Sequence, residues 1–129
     1  MTLIDRLSKL DGPDREVDAE LEALFIGGRV HYNDPANKEA VIERPIDGFW
    51  IRGIYPYRKI ARYTASVDAA LALAERVLPE VEPCVRFGKN PTAWITYPDE
   101  WPAHLSHGAT PAIALCIALL RAKEANHGE

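Results

Sequence analysis

Nine apolar residues follow one another without a break at positions 112–120, near the C-terminus. Thr110 and Pro111 precede them. A threonine hydroxyl can accept a hydrogen bond from a free backbone N–H at a helix start, and proline suits the first helical position. The run is too short to cross a bilayer, which needs about 20 apolar residues. It therefore predicts a helix over residues 111–125, buried inside a globular fold.

The chain has 129 residues, a length that fits one domain spanning residues 1–129. Apolar residues at helical spacing predict an N-terminal helix or arm over residues 1–12. Residues 126–129 are predicted to form a frayed tail. The formal net charge is -4, and most of the acid lies in the first 47 residues. This acidic first part argues mildly against a surface devoted to nucleic acid. A solubilising first helix would show the same distribution of charge.

The compartment can also be predicted from the sequence. The N-terminus is polar within five residues and holds no apolar signal core. Cys84 and Cys116 have neither the spacing of a disulfide framework nor that of a metal site, and buried free thiols suit a reducing cytosol. We therefore expect the protein to remain in the cytoplasm in which it is made, with no membrane association.

Short β-compatible runs alternate with capped, amphipathic helices along the rest of the chain. A turn signal at residues 45–48 predicts an antiparallel pair of strands around it. Helices that interleave with antiparallel pairs predict an α+β fold, in which helices pack on one mainly antiparallel sheet in the order α-β-β-α-β-β-α. Residues 98–108 are predicted to be irregular. The further predicted elements are helices over residues 14–25 and 67–78, and strands over residues 30–32, 40–43, 49–54, 84–87 and 92–97.

The last helix carries a narrow stripe of alanines on one side. Its members recur at helical spacing, and small side chains let another backbone approach closely. The neighbour is either a helix of the same chain or, in a homodimer through the C-terminal helix, a second copy. The stripe comprises Ala114, Ala118, Ala122 and Ala125.

Three segments carry a resemblance to a known family. Residues 63–73 read YTASVDAALAL, residues 109–122 read ATPAIALCIALLRA, and Leu7 with residues 12–19, GPDREVDA, opens the chain. In order and spacing these segments resemble the phage ABA sandwich domain, a family of small phage and prophage proteins. The resemblance implies a three-layer α/β/α sandwich and a phage or prophage origin. It implies no activity and no catalytic residues.

The strongest candidate binding segment is residues 52–63, which hold four cations, three tyrosines and no acid. Cations attract phosphate, and aromatic faces stack on bases or on guanidinium groups. The same composition is also typical of a solvated strand edge, where charges discourage aggregation. Exposed aromatics and arginines also anchor protein interfaces, so we add a tryptophan from the irregular segment. The predicted binding residues are Arg52, Tyr55, Tyr57, Arg58, Lys59, Arg62 and Trp101.

A second cluster, in residues 99–107, offers two carboxylates and two imidazoles. His104 and His107 lie three residues apart, and a metal-dependent hydrolase could use such ligands. The cluster contains no recognised metal-binding motif, and a polar loop leading into the cap of the last helix is the favoured interpretation. Cys84 and Ser66 have no sequence context that would make either of them a nucleophile.

These observations favour a non-enzymatic binding protein of phage or prophage origin in the cytoplasm of a bacterial host. We expect its partner to be a host or phage protein, and interference with a host defence system is one version of that role. The alternative is a nucleotide or nucleic-acid binding module that uses residues 52–63. We predict no catalytic residues, no metal and no cofactor.

Overall fold

A computed structural model describes residues 2–96 and 105–127. The chain has helices and two small antiparallel sheets, which confirms the α+β class. The prediction of one sheet is wrong, because the described strands form two separate sheets of three strands each. The helices are α1 Leu3–Ser8, α2 Arg15–Phe25, α3 Val67–Val77 and α4 Pro111–His127. The strands are β1 Arg29–Asp34, β2 Glu39–Ile46, β3 Phe49–Pro56, β4 Glu82–Arg86, β5 Thr92–Thr96 and β6 Ser106–His107.

The packing divides the chain into two compact units. One comprises residues 14–62, and the other comprises residues 1–13 with residues 63–129. Each unit contains one of the two sheets. The single domain over residues 1–129 and the three-layer sandwich both stay predictions.

In the unit of residues 14–62, α2 begins and ends where local chemistry requires. The Asp14 carboxylate accepts hydrogen bonds from the N–H groups of Glu16 and Val17, at 2.8 and 3.2 Å, and so caps the helix. At the other end Gly27 has φ +79°, and the N–H of Gly28 donates to the carbonyl of Ala23 at 2.8 Å. This is a Schellman motif, in which glycine adopts the left-handed conformation without steric cost.

The sheet of this unit has the strand order β1-β2-β3. Asp47 and Gly48 connect β2 to β3 with φ values of 49° and 84°. Positive φ at both positions is the signature of a two-residue type I′ hairpin, whose twist matches that of the strands. Helix α2 packs on β1 and β2. Ala40 and Ile42, which point to one face of the sheet, are completely buried, so α2 covers that face.

In the other unit, α4 forms the centre of the core. It packs against α1, α3 and all three strands of the sheet β4-β5-β6. Every residue from 112 to 120 is buried, which confirms the interpretation of the apolar run. Thr110 Oγ1 accepts a hydrogen bond from the N–H of Ile113 at 3.2 Å, as predicted for the cap. Ser66 caps α3 in the same way, through the N–H of Ala69 at 3.1 Å.

Three of the four alanines of the stripe are buried by the chain itself. Ala114, Ala118 and Ala122 have exposed fractions of 0%, 4% and 8%. Of the two neighbours that the stripe predicted, the structure provides the one within the same chain. These three alanines offer no free surface to a second copy, the side chain of Ala125 lies outside the described ones, and the homodimer through α4 stays a prediction.

The two ends and one loop differ in detail from the predictions. Helix α1 confirms an N-terminal helix in residues 1–12, and Thr2 and Asp5 form a capping box that the sequence analysis missed. Helix α4 continues to His127, so the frayed tail does not begin at residue 126, and residues 128–129 lie outside the described residues. Strand β6 lies in the segment that was predicted to be irregular. Two residues are too few to show a strand periodicity, so only pairing with β5 reveals this strand.

Replacing Ala118 by arginine tests the burial of α4. A charge at a position that is 4% exposed cannot be hydrated, and we expect the free energy of unfolding to fall by about 3 kcal/mol or more. Ala72→Arg is the matched control, because Ala72 is an exposed residue of α3; it should change stability by less than about 0.5 kcal/mol. Urea denaturation measures both variants. Equal stability of the two would show that Ala118 faces solvent.

Candidate binding surface

The residues predicted for binding do not form one surface. Arg52 and Tyr55 belong to β3, whereas Arg58 and Lys59 lie in a short 3-10 helix that follows it. Tyr57 is buried, so its assignment to a binding surface is wrong. Tyr55 is half-buried, and the exposed members within the described segments are Arg52, Arg58, Lys59 and Arg62. Trp101 lies outside the described residues.

Tyr57 is buried because it joins the segment after β3 to helix α2. Its hydroxyl donates to Asn33 Oδ1 at 2.9 Å, and the Arg15 guanidinium lies 5.7 Å from its ring centroid. Burial raises the pKa of the Tyr57 hydroxyl. The aromatic and basic residues of this segment therefore include core residues as well as surface residues, which composition alone cannot separate.

Arg15 completes this attachment. Its guanidinium donates to the carbonyl oxygens of Tyr57 and Ile60, the latter at 2.7 Å. It also forms an ion pair of 2.7 Å with Asp18, whose side chain is completely buried. A buried carboxylate is tolerable only when it is paired and hydrogen-bonded. We conclude that Arg15 and Asp18 are structural residues of this unit.

A second carboxylate, Glu43 of β2, organises the opposite face of the sheet. Its Oε2 accepts from Arg52 Nε at 2.8 Å, and its Oε1 accepts from Arg29 Nε at 3.1 Å. Glu43 is only 7% exposed, although both arginines reach solvent. The hydrogen bond from Arg52, with that from Arg29, holds the pKa of the Glu43 carboxyl below its usual value, and desolvation opposes this shift.

The Arg29 side chain also stacks on an aromatic ring. Its guanidinium carbon lies 3.9 Å from the centroid of the Trp50 ring, within the range of a cation–π contact. Glu43 and Trp50 therefore hold one guanidinium from two directions. The His31 ring lies beside the same carboxylate, with Nδ1 at 3.8 Å from Glu43 Oε1.

Strand register collects these groups on one side of the sheet. Glu43 is opposite both Arg29 and Arg52, Val41 is opposite both Tyr32 and Ile54, and Pro45 is opposite Trp50. Alternate residues of a strand share a face, so all these side chains lie on the face that α2 does not cover. Tyr32, Trp50 and Ile54 are 59%, 46% and 65% exposed. We call this surface the open face; it comprises Arg29, Tyr32, Glu43, Trp50, Arg52 and Ile54.

Of these six residues, only Arg52 was among the predicted binding residues. A signal was nevertheless present in β3, where Phe49, Trp50, Ile51, Ile54 and Tyr55 place apolar side chains on both faces. A strand with one face in water normally alternates apolar and polar residues. Apolar residues on both faces of a strand beside a hairpin turn therefore indicate either burial on both faces or a contact surface.

The carboxylate–imidazole cluster has only one described member. His107 Nδ1 lies 3.2 Å from Thr92 Oγ1, across the pairing of β6 with β5. Asp99, Glu100 and His104 lie outside the described residues. Within residues 2–96 and 105–127, no group of three or more potential ligands could hold a metal ion.

Comparisons with protein-family models, with curated proteins and with solved structures give no match to this chain. The resemblance to the phage ABA sandwich domain therefore stays a prediction. None of the helices in the described segments has the length and apolar character that a membrane span requires.

Titration of Glu43 should be visible in the stability of the fold. Its lowered pKa means that the ionised carboxylate stabilises the fold above about pH 4.5, the ordinary value. This stabilisation disappears as pH falls through the lowered pKa. The urea midpoint of the wild type should therefore fall between pH 7 and pH 3 by more than that of Glu43→Gln. An unchanged slope in Glu43→Gln would contradict the ion-pair assignment.

Proposed function

We propose that this protein is a non-enzymatic binding module that recognises a partner protein through its open face. The observation that supports this is the exposure of Tyr32, Trp50 and Ile54 around two arginines held by a nearly buried carboxylate. Tryptophan, tyrosine and arginine supply most of the binding energy in protein interfaces. A cluster of exposed apolar side chains rimmed by polar groups is typical of an interaction site.

The charges of the open face indicate which partner it would accept. Arg29 and Arg52 outnumber Glu43, so the cluster has a net charge of +1 when His31 is neutral. The guanidinium groups are already oriented, so the two arginine side chains lose less conformational entropy when a partner binds. Guanidinium groups pair well with carboxylates. The proposed partner therefore presents an acidic side chain beside apolar ones.

We propose further that the partner is a host or phage protein and that the module acts in the cytoplasm of a bacterial host. The support is the resemblance of three segments to a phage and prophage family. Interference with a host defence system is the version of this role that the origin favours. A non-catalytic protein can act in this way by occupying a surface of its target.

Capture from a lysate of phage-infected bacteria tests the open face. A double variant, Trp50→Ala with Arg52→Glu, removes the aromatic anchor and reverses one charge. The amount of a specific partner that is retained should fall about tenfold or more, since anchors of this kind contribute most of an interface's affinity. Quantitative mass spectrometry measures the retention.

The matched control changes an aromatic residue and an arginine elsewhere in the chain. Phe87 and Arg86 are also exposed, and Phe87→Ala with Arg86→Glu should leave retention at the wild-type level. Thermal denaturation of both double variants shows that they fold. A partner retained equally by all three proteins would refute recognition through the open face.

The second candidate function is binding of nucleic acid or a nucleotide through residues 52–63. Arg58, Lys59 and Arg62 are exposed, and in the described part of the chain no acidic side chain forms an ion pair with them. This observation favours phosphate contacts. Tyr57 and Tyr63 are buried, which leaves half-buried Tyr55 as the aromatic of this segment that could stack on a base.

Replacing Arg58, Lys59 and Arg62 by glutamine distinguishes the two functions. If the chain binds DNA or RNA, three lost phosphate contacts should weaken retention on immobilised nucleic acid and flatten its dependence on salt. Arg86→Gln with Lys89→Gln is the control for unspecific loss of charge. Equal retention of the triple variant and the wild type at every salt concentration would remove this candidate.

A further inference from the structure

Strand β3 forms an edge of its sheet. In the described part of the chain it pairs with β2 alone. A two-residue turn makes Ile46 and Phe49 a hydrogen-bonded pair, and such pairs alternate along an antiparallel ladder. The backbone groups of Trp50, Arg52 and Ile54 therefore point away from β2. They offer a second strand a row of N–H donors and carbonyl acceptors.

This edge lacks the features that normally prevent pairing with another chain. Edge strands are protected by bulges, by charged side chains, especially lysine, and by proline. The register of β3 with β2 is continuous from Phe49 to Pro56, and the strand contains neither lysine nor acid. Its only charged residue, Arg52, donates a hydrogen bond to Glu43 of β2 and so leans away from the free edge. Its only proline, Pro56, is the last residue of the strand. The β1 edge differs, because its register is interrupted between Val30 and Tyr32.

We propose that β3 pairs in antiparallel fashion with β3 of a second copy, which joins the two three-stranded sheets into one of six strands. A two-fold axis at Gly53 pairs the outward-pointing residues with one another. It sets Arg52 beside Ile54 of the second copy, and Trp50 beside Pro56. On the other face Ile51 lies beside Tyr55 of the second copy. No like charges are opposed within the ladder, and Ile51, which is 48% exposed in one chain, gains an apolar neighbour in Tyr55.

Charge complementarity beyond the ladder favours a second copy over a foreign strand. In this register the turn residue Asp47 of each copy approaches Arg58 and Lys59 of the other. All three side chains are exposed. Residues 14–62 hold nine acidic and eight basic side chains. Two copies that meet through this part of the chain would therefore repel each other little. Edge pairing would set two open faces side by side without covering them, and it does not depend on the partner proposed for that face.

Sedimentation velocity of the full chain, over a wide range of concentration, tests this dimer. The wild type should form a species of twice the single-chain mass of 14.4 kDa. Ile54→Pro removes an N–H that points away from β2, so the ladder within the chain keeps its bonds. Both copies lose a donor, and dimerisation should weaken about tenfold or more. Ile54→Val, which keeps the N–H and an apolar side chain, should retain the dimer.

A second variant does not alter β3. Arg58→Glu with Lys59→Glu places like charges opposite Asp47 and should also weaken dimerisation, and raised salt should restore it in part. Circular dichroism shows whether each variant folds. If Ile54→Pro does not fold, the variant Arg58→Glu with Lys59→Glu tests the dimer by itself. A wild type that is monomeric at every concentration would overturn the proposal. So would assemblies larger than two copies, or a dimer that neither variant weakens.

Discussion

The unit of residues 14–62 has one helix to cover a sheet with two faces. Helix α2 buries Ala40 and Ile42 on one side, and residues 14–62 contain no second α-helix for the other. Tyr32, Trp50 and Ile54 on the second face are exposed. Instead of a uniformly polar surface, the chain places arginines, a glutamate and large apolar residues there. The open face is the candidate binding surface because its large apolar side chains are exposed.

Glu43 is the residue on which this surface depends. A carboxylate that is 7% exposed would be costly alone, since desolvation disfavours its charge. Arg29 and Arg52, on the two neighbouring strands, offset this desolvation cost by pairing with the carboxylate. The Trp50 ring stacks on the Arg29 guanidinium. Because the arginines themselves reach solvent, we expect these ion pairs to contribute modestly to stability. Their larger effect is to orient two guanidinium groups on the open face. The strand register makes this possible, because it places Glu43 opposite both Arg29 and Arg52.

Features that depend on a few neighbouring residues were predictable. Thr110 and Ser66 cap helices because a side-chain oxygen next to a helix start finds a free N–H within three residues. The turn at residues 45–48 was likewise predicted, because Asp-Gly tolerates positive φ. Other local signals were missed, as the capping box at Thr2 shows. The division of the strands into two sheets was also missed, because apolar periodicity shows which face of a strand is buried and not which strand lies beside it.

The sequence by itself determined where the main helices lie, that the apolar run from residue 112 to 120 is buried, and that the chain mixes helices with antiparallel strands. These follow from local hydrogen bonding and from hydrophobic periodicity, which act over a few residues. Only the tertiary structure decided that Tyr57 is a core residue, that Arg52 pairs with Glu43, and that Tyr32, Trp50 and Ile54 share an exposed face. Each depends on residues far apart in the sequence being brought together by strand pairing. The composition of residues 52–63 could not reveal them, because exposure is set by whatever packs against a side chain.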